Sequence, residues 1–171
     1  MNTPSSVLVG CIEKTVWIKV AGRGSFQNSG GIKEFSRQMM NRGFRNFIID
    51  LKNCELMDST FMGTVTGIAL RLRELGQGKI SAIHLNERNK DLLENLGLDR
   101  LIDINGDAPV EVAPAANDLQ QTMEASGAES KRDIVLTAHE ALAEADPQNA
   151  VRFKDVLEFL QQEAKEAEEE S

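Results

Sequence analysis

The sequence predicts an α/β domain, a mixed β-sheet of about five strands packed with helices, followed by a C-terminal α-helical hairpin. The main observation is that β-rich and amphipathic helical segments alternate in the order ββαβαβαβ over residues 5–104. Helical periodicity then returns over 131–165, after a stretch rich in proline and alanine. With 171 residues and 41% hydrophobic content, the chain has room for one domain and an extension. We therefore divide it into a domain at 5–104, a linker at 105–130 and an acidic helical extension at 131–171.

The first half of the domain is predicted from β-rich runs and one helix. Residues 7–12 and 15–20 are rich in β-branched side chains and are separated by two polar residues, which indicates a hairpin. Apolar residues at helical spacing predict a helix that opens near 28–29 and ends at Gly43. An apolar burst at 47–51 predicts a buried strand, followed by a loop up to residue 57.

The second half alternates helix and strand in the same way. A helix is predicted to begin near Ser59 and to end at Gly76 or Gly78. Residues 79–85 predict a strand, and Asn86 is placed to cap a helix over 87–96. A short strand at 101–104 completes the sheet. This order of elements predicts a mixed sheet with helices packed mainly on one or both of its faces.

The extension is predicted to be two helices. A short helix is an option around 118–124, within the linker. Apolar residues trace one helical face from Ile134 to Ala145. Asp146-Pro147 then predicts the start of a second helix, because a capping carboxylate precedes a proline at the first helical position. Two helices cannot bury their apolar faces alone, so we expect the hairpin to dock on the domain, on a second copy in a homodimer, or on a partner.

Composition excludes several classes of function. Aromatic residues make up 5% of the chain, with no tyrosine and one tryptophan, so stacking platforms for single-stranded nucleic acid are not expected. Residues 1–104 carry 14 Lys and Arg against 11 Asp and Glu, whereas residues 105–171 carry 5 against 16. The acidic extension is therefore not expected to bind nucleic acid. The apolar runs are far shorter than the ~20 residues of a membrane span, and the expected location is the cytoplasm.

Cysteine and histidine residues give no sign of a metal site or a catalytic centre. Cys11 and Cys54 are predicted to be buried free thiols, since two distant cysteines make neither a ligand cluster nor a disulfide framework. His84 and His139 have no partner at metal-ligand spacing and are predicted to be structural. Because paired carboxylates and a nucleophile with its base are also not evident, we expect no enzyme, no metal and no cofactor.

The most informative stretch is residues 57–63, Met-Asp-Ser-Thr-Phe-Met-Gly, where a strand ends and a helix begins. At that junction, unpaired helix N–H groups and the positive end of the helix dipole point outward. A phosphate can be accommodated there, either on a ligand or on Ser59 itself. The simplest structural role for Ser59 is instead that of an N-cap, whose hydroxyl accepts from an N–H group and contributes about 1 kcal/mol.

A second candidate loop precedes the first helix. The run Gly22-Arg23-Gly24 suggests a phosphate-binding loop, but neither a third glycine nor a Lys-Ser/Thr pair follows at the required spacing. Arg23 is therefore either a docking residue or a plain loop cation.

Residues 46–104 resemble the STAS family, and in particular the bacterial anti-sigma factor antagonists. The resemblance covers the strand at 46–51, the turn Met57-Asp58-Ser59-Thr60, the helix to Gly76 and the run Leu96-Gly97-Leu98. The length and order of elements over residues 5–104 also fit. Two positions depart from the family pattern. Phe61 stands where the family has a glycine two residues after the serine, and the segment at 22–28 has no acidic residue.

The resemblance implies a partner-switching module in bacterial signal transduction and transcription regulation. In such proteins the serine that matches Ser59 is phosphorylated by a serine kinase that is also the anti-sigma factor, and a phosphatase restores it. The unphosphorylated form binds the kinase. Thr60 is the alternative acceptor. The expected partner-binding residues are Asp58, Thr60, Phe61, Met62 and Arg23. The alternative function is a STAS-type scaffold that is never phosphorylated and acts through its C-terminal helices.

Overall fold

The computed structural model describes residues 5–104, 120–121 and 130–170, with the backbone alone at 120–121. Its strands form one mixed sheet. They are β1 (Ser6–Ile12), β2 (Thr15–Gly24), β3 (Asn46–Met57), β4 (Lys79–Ile83), β5 (Asp103–Ile104) and β6 (Gln120–Gln121), in the spatial order β5-β4-β3-β2-β1-β6. β1 is antiparallel to β2 and to β6, and the pairs from β2 to β5 are parallel. The predicted mixed sheet and the predicted β-hairpin of β1 and β2 are confirmed.

Helices connect the parallel strands, and their order along the chain agrees with the predicted order of elements. They are α1 (Phe26–Asn41), α2 (Ser59–Leu75) and α3 (Glu87–Asn95), with a 3₁₀ turn at Leu98–Arg100 before β5. α1 begins slightly earlier than predicted. The side chain of Ser25 accepts from the Gln27 N–H group, and the side chain of Asn28 accepts from the Ser25 N–H group. This reciprocal capping fixes the start of α1 directly after β2.

β3 is longer than predicted, because residues 52–57 are strand and not loop. They continue to pair in parallel with β2 as far as the partners Gly24 and Met57, across two shifts of register. Residues 52–57 of β3 extend beyond the end of β4. There, the side chain of Asn89 donates to the Cys54 carbonyl at 2.9 Å. The extra length carries the chain to Asp58, beside the beginning of α1.

The core is two clusters on opposite faces of the sheet. Because side chains alternate along a strand, neighbouring residues of β2 and β3 serve different faces. Trp17, Ile48 and Ile83 form the smaller cluster. The larger cluster contains Phe47 and Ile49 and receives the helices.

The extension contains three helices where two are predicted, α4 (Lys131–Ala145), α5 (Pro147–Arg152) and α6 (Lys154–Glu170). The predicted helix start at Asp146-Pro147 is present, since the Asp146 side chain accepts from the Gln148 N–H group at 2.9 Å. The second helix is interrupted at Phe153, whose side chain packs against the larger core cluster. The helix suggested for 118–124 falls mostly outside the described residues. The two described ones, Gln120–Gln121, form β6 instead.

The extension docks on its own domain. Leu142 of α4 is fully buried in the larger core cluster. The buried side chain of Asn149 donates to the carbonyl oxygens of Leu96 and Leu142, both at 2.9 Å, and so joins α5 to the end of α3. Arg152 adds a hydrogen bond to the carbonyl of Asn95 at 3.2 Å. Of the three docking alternatives, the structure therefore contains the intramolecular one.

Candidate functional site

Asp58 joins the beginnings of α1 and α2. One carboxylate oxygen accepts from the Phe61 N–H group at 2.8 Å, and the other accepts from the Phe26 N–H group at 3.1 Å. The Asp58 N–H group donates to the Gly24 carbonyl at 2.8 Å. The N-cap of α2 is thus Asp58, and Ser59 is the first residue of the helix. The capping role that the sequence suggests for Ser59 belongs to its neighbour, so the serine hydroxyl is left for other contacts.

The hydroxyl of Ser59 pairs with His139, which lies 80 positions further along the chain, on α4. Ser59 Oγ is 3.0 Å from His139 Nε2, and His139 Nδ1 is 2.7 Å from the carbonyl oxygen of Val135. A carbonyl oxygen only accepts, so Nδ1 carries the proton. In the neutral ring, Nε2 is then an acceptor, and the serine hydroxyl donates to it.

This pair is a nucleophile beside a base, which is the kind of pair that the sequence gives no sign of. His139 is buried, with 4% of the residue's surface exposed, and the Phe153 ring packs against the imidazole at a centroid distance of 5.0 Å and an angle of 78° between the ring planes. His139 is therefore held in one orientation from two sides. Helical spacing places it beside inward-facing Ala138 and Leu142, but no local pattern links it to a serine so far away in the sequence.

α4 approaches α2 closely because the facing residues are small. Gly63 and Gly67 follow Ser59 at intervals of four residues and so lie on the same helix face. A Cβ atom added at Gly63 would collide with the carbonyl of Ala138, whereas one at Gly67 would lie 3.8 Å from the Ala141 side chain. The backbones can therefore meet at Gly63 only in the absence of a side chain.

Two contacts join α4 to α1 on the other side of the site. The ammonium group of Lys33 donates to the hydroxyl of Thr137 at 3.0 Å. Lys131 Nζ lies 4.2 Å from the centroid of the Phe26 ring, in a cation–π arrangement. Ser59 is half-buried between these helices.

The predicted partner-binding residues have different positions. Thr60, Phe61 and Met62 are 5%, 1% and 5% exposed, so in this conformation their side chains face the interior and are not available to a partner. Phe61 can be buried because its ring occupies the space beside Gly24. A Cβ atom at position 24 would lie 2.9 Å from that ring. Of the five predicted residues, Arg23 has an exposed side chain and Asp58 a half-buried one.

The two cysteines differ, although both are free. Cys54 is buried as predicted, and burial raises the pKa of its thiol. The prediction for Cys11 is wrong, because this residue is exposed. It lies on β1, where residues alternate between faces, and its Sγ is 3.3 Å from the sulfur of Met39. Partial desolvation raises the pKa of the Cys11 thiol as well.

The described residues also bear on metal sites, membrane spans and cavities. There, no group of three or more His, Cys, Asp or Glu residues is arranged to hold a metal ion. In the same residues, no helix is long and apolar enough to cross a membrane. An apolar cavity beside Phe61 and Val65 has a volume of about 10 Å³, which is too small for an organic ligand, whereas an open cleft between α2 and α4, beside Gly67 and Ala141, has a volume of about 340 Å³.

The fold is a mixed α/β domain, and in its candidate site Ser59 is the first residue of α2 and is paired with His139. No family model matches the sequence, and no curated protein matches it. Solved structures do match in fold, and the three described next have 17–21% sequence identity.

A putative anti-sigma factor antagonist of Thermotoga maritima, TM1081, has a TM-score of 0.54 and 21% identity over 60% of this chain and 87% of its own. SpoIIAA in its unphosphorylated form has a TM-score of 0.53 and 17% identity, over 60% and 90% of the two chains. The phosphorylated form of the Bacillus cell fate determinant SpoIIAA has a TM-score of 0.50, again at 17% identity. The predicted STAS-type fold is therefore confirmed.

Proposed function

We propose that this protein is a phosphorylation-controlled binding module of the anti-sigma factor antagonist type, acting in a partner-switching pathway of the bacterial cytoplasm. Ser59 is the phospho-acceptor. A serine kinase that also acts as the anti-sigma factor is the main partner, and a phosphatase reverses the modification. The observation that carries the proposal is that Asp58 alone caps α2, which leaves the Ser59 hydroxyl at the helix N-terminus without a capping role.

The position of Ser59 suits a switch. In the transfer, Ser59 Oγ forms a bond to the terminal phosphorus of a nucleoside triphosphate, the bond to the diphosphate breaks, and a base of the kinase takes the hydroxyl proton. The product carries about −1.5 to −2 charges. At a helix N-terminus the dipole and free N–H groups accommodate that charge, so the domain stays folded. Across an interface with an acidic partner, the same charge weakens binding.

The test is intact-mass spectrometry with peptide mapping on protein purified from its native cells, under signalling and resting conditions. We expect one phosphate on the peptide that contains Ser59, and its occupancy should change with the condition. In Ser59→Ala the phosphate should disappear, and in the matched control Thr60→Ala it should remain. Absence of phosphate from Ser59 under every condition, or its presence on Thr60 instead, would overturn the assignment.

A scaffold that is never phosphorylated is the second candidate function, and α6 is the observation that favours it. This helix buries none of its residues, and Phe159 and Val156 are 64% and 40% exposed. An exposed aromatic side chain on a helix is a common anchor for a protein partner. The two functions separate in the experiment above, because only the first requires phosphate on Ser59.

A further inference from the structure

α4 occupies the surface of the domain that surrounds the candidate phospho-acceptor. His139 of α4 accepts a hydrogen bond from the Ser59 hydroxyl, and the α4 backbone at Ala138 lies against Gly63. Lys131 and Thr137 hold the same helix against α1. A kinase must bring its triphosphate to within about 3–3.5 Å of Ser59 Oγ, with the reacting atoms aligned. His139 already fills the side of the hydroxyl to which its proton points.

We propose that the N-terminal half of α4, residues 131–139, is an autoinhibitory cover that must move away from α2 before Ser59 can be phosphorylated. The proposal deepens the proposed function and rests on it, since the cover regulates the same serine. It also defines the surface beneath the cover. That surface is a groove between α1 and α2 which accepts a helix with small side chains, and α4 is the occupant present in the chain itself.

The two halves of α4 are held differently, and this difference allows one half to move. In the first half, residues 132–136 are only half-buried and Lys131 and Thr137 are exposed, so its buried residues are Ala138 and His139 at its C-terminal end. In the second half, Leu142 is fully buried, and its carbonyl accepts from the side chain of Asn149. Segments with few buried apolar contacts open at a lower free energy than core segments. The first half can therefore open while the second half keeps the extension attached.

The glycines of α2 provide a matched pair of variants. Gly63→Ala and Gly67→Ala make the same chemical change on the same helix face, and each adds helix propensity. Only the first creates a collision with the backbone of α4, at Ala138, because the second adds its methyl group at an ordinary contact distance. A difference between them therefore reports the fit of α4 on α2, and neither residue belongs to the reacting group.

The experiment uses the full chain and needs no kinase. Ser59→Cys is introduced together with Cys11→Ser and Cys54→Ala, so that residue 59 carries the thiol to be labelled with iodoacetamide. Labelling of every variant is measured at the same pH of about 9.5, above the ordinary thiol pKa of about 8.5. Hydrogen exchange of the α4 and sheet peptides is followed in parallel by mass spectrometry.

In Gly63→Ala we expect labelling of residue 59 to accelerate by about tenfold or more, with faster exchange over 131–139 and unchanged protection of β2 and β3. Gly67→Ala should behave like the parent. The proposal would be overturned if residues 131–139 exchange faster in Gly63→Ala but residue 59 is labelled at the same rate in the two variants. In that case α4 would have opened without making residue 59 more accessible.

If Gly63→Ala also loses protection in the sheet, the test passes to His139→Ala, which removes the hydrogen bond and leaves the α2 backbone untouched. Faster labelling with an intact sheet supports the cover, and parent-like labelling overturns it. These results do not depend on phosphate in cells. Failure of the phosphorylation assay with a positive labelling result would remove the proposed function and leave α4 as a cover of a binding surface. The converse would remove only the cover.

Discussion

α4 and α6 belong to the same extension and have similar lengths, but they behave in opposite ways. α6 is the more strongly amphipathic of the two and buries no residue, whereas α4 buries four and reaches the candidate site. Small residues explain the difference, because Ala138 and Ala141 of α4 allow its backbone to approach Gly63 and Gly67. Amphipathicity alone therefore does not predict docking in this chain. The fit between two particular helix faces decides it.

The largest difference in stability between α4 and α6 is expected when an apolar side chain is removed from each helix. Leu142→Ala in α4 should lower the free energy of unfolding by about 2–5 kcal/mol, because the removed atoms leave a cavity in the core. Phe159→Ala in α6 should change it by less than about 0.5 kcal/mol, since that side chain is mostly exposed. Urea unfolding monitored by circular dichroism gives both values. Similar losses in the two variants would remove the distinction drawn between α4 and α6.

The polar attachment of the extension should have the next largest effect. Asn149→Ala leaves the carbonyl groups of Leu96 and Leu142 without their side-chain donor, which should cost about 1–3 kcal/mol. The neighbouring exposed Gln148→Ala is the control and should be close to neutral. The same unfolding measurement applies. A neutral result for Asn149→Ala would mean that apolar contacts alone attach α5 to the domain.

Asp58→Ala tests the part of the site that does not depend on α4. The carboxylate caps α2 and also accepts from the first N–H group of α1, so its loss should cost about 1–2 kcal/mol. Ser59→Ala, which removes a single hydrogen bond to His139, should cost about 1 kcal/mol or less. If Ser59→Ala were the more destabilising of the two, the hydroxyl would have the structural role that we assign to its neighbour.

The smallest effect is expected from shortening α6. A chain that ends at Gln162 lacks Glu163, Glu166 and three further glutamates, together with the end of an exposed helix. We expect its melting temperature to stay within about 2 °C of the full chain, because a change of about 0.5 kcal/mol corresponds to that shift in a protein of this size. Differential scanning calorimetry checks this. A larger decrease would show that the end of α6 is stabilised by contacts with the folded chain.

The order of strands and helices could be predicted because it depends on local patterns. Alternating apolar runs define the sheet, and Asn86 and Asp146 cap their helices as expected. The contact between Ser59 and His139 could not be predicted, since it depends on how α4 packs on α2 and not on any spacing in the sequence. The burial of Phe61 could not be predicted for a similar reason, because the space for its ring is provided by Gly24 on strand β2.

That arrangement of Gly24 and Phe61 has a consequence for how the sequence can change. The ring fills the volume that a side chain at position 24 would need, so a larger residue at 24 and the phenylalanine at 61 are incompatible. Replacing Phe61 with glycine would in turn leave a void the size of a benzene ring beneath α2. The two positions are therefore epistatic. We expect them to vary together among homologues, with a small residue at one whenever the other is aromatic.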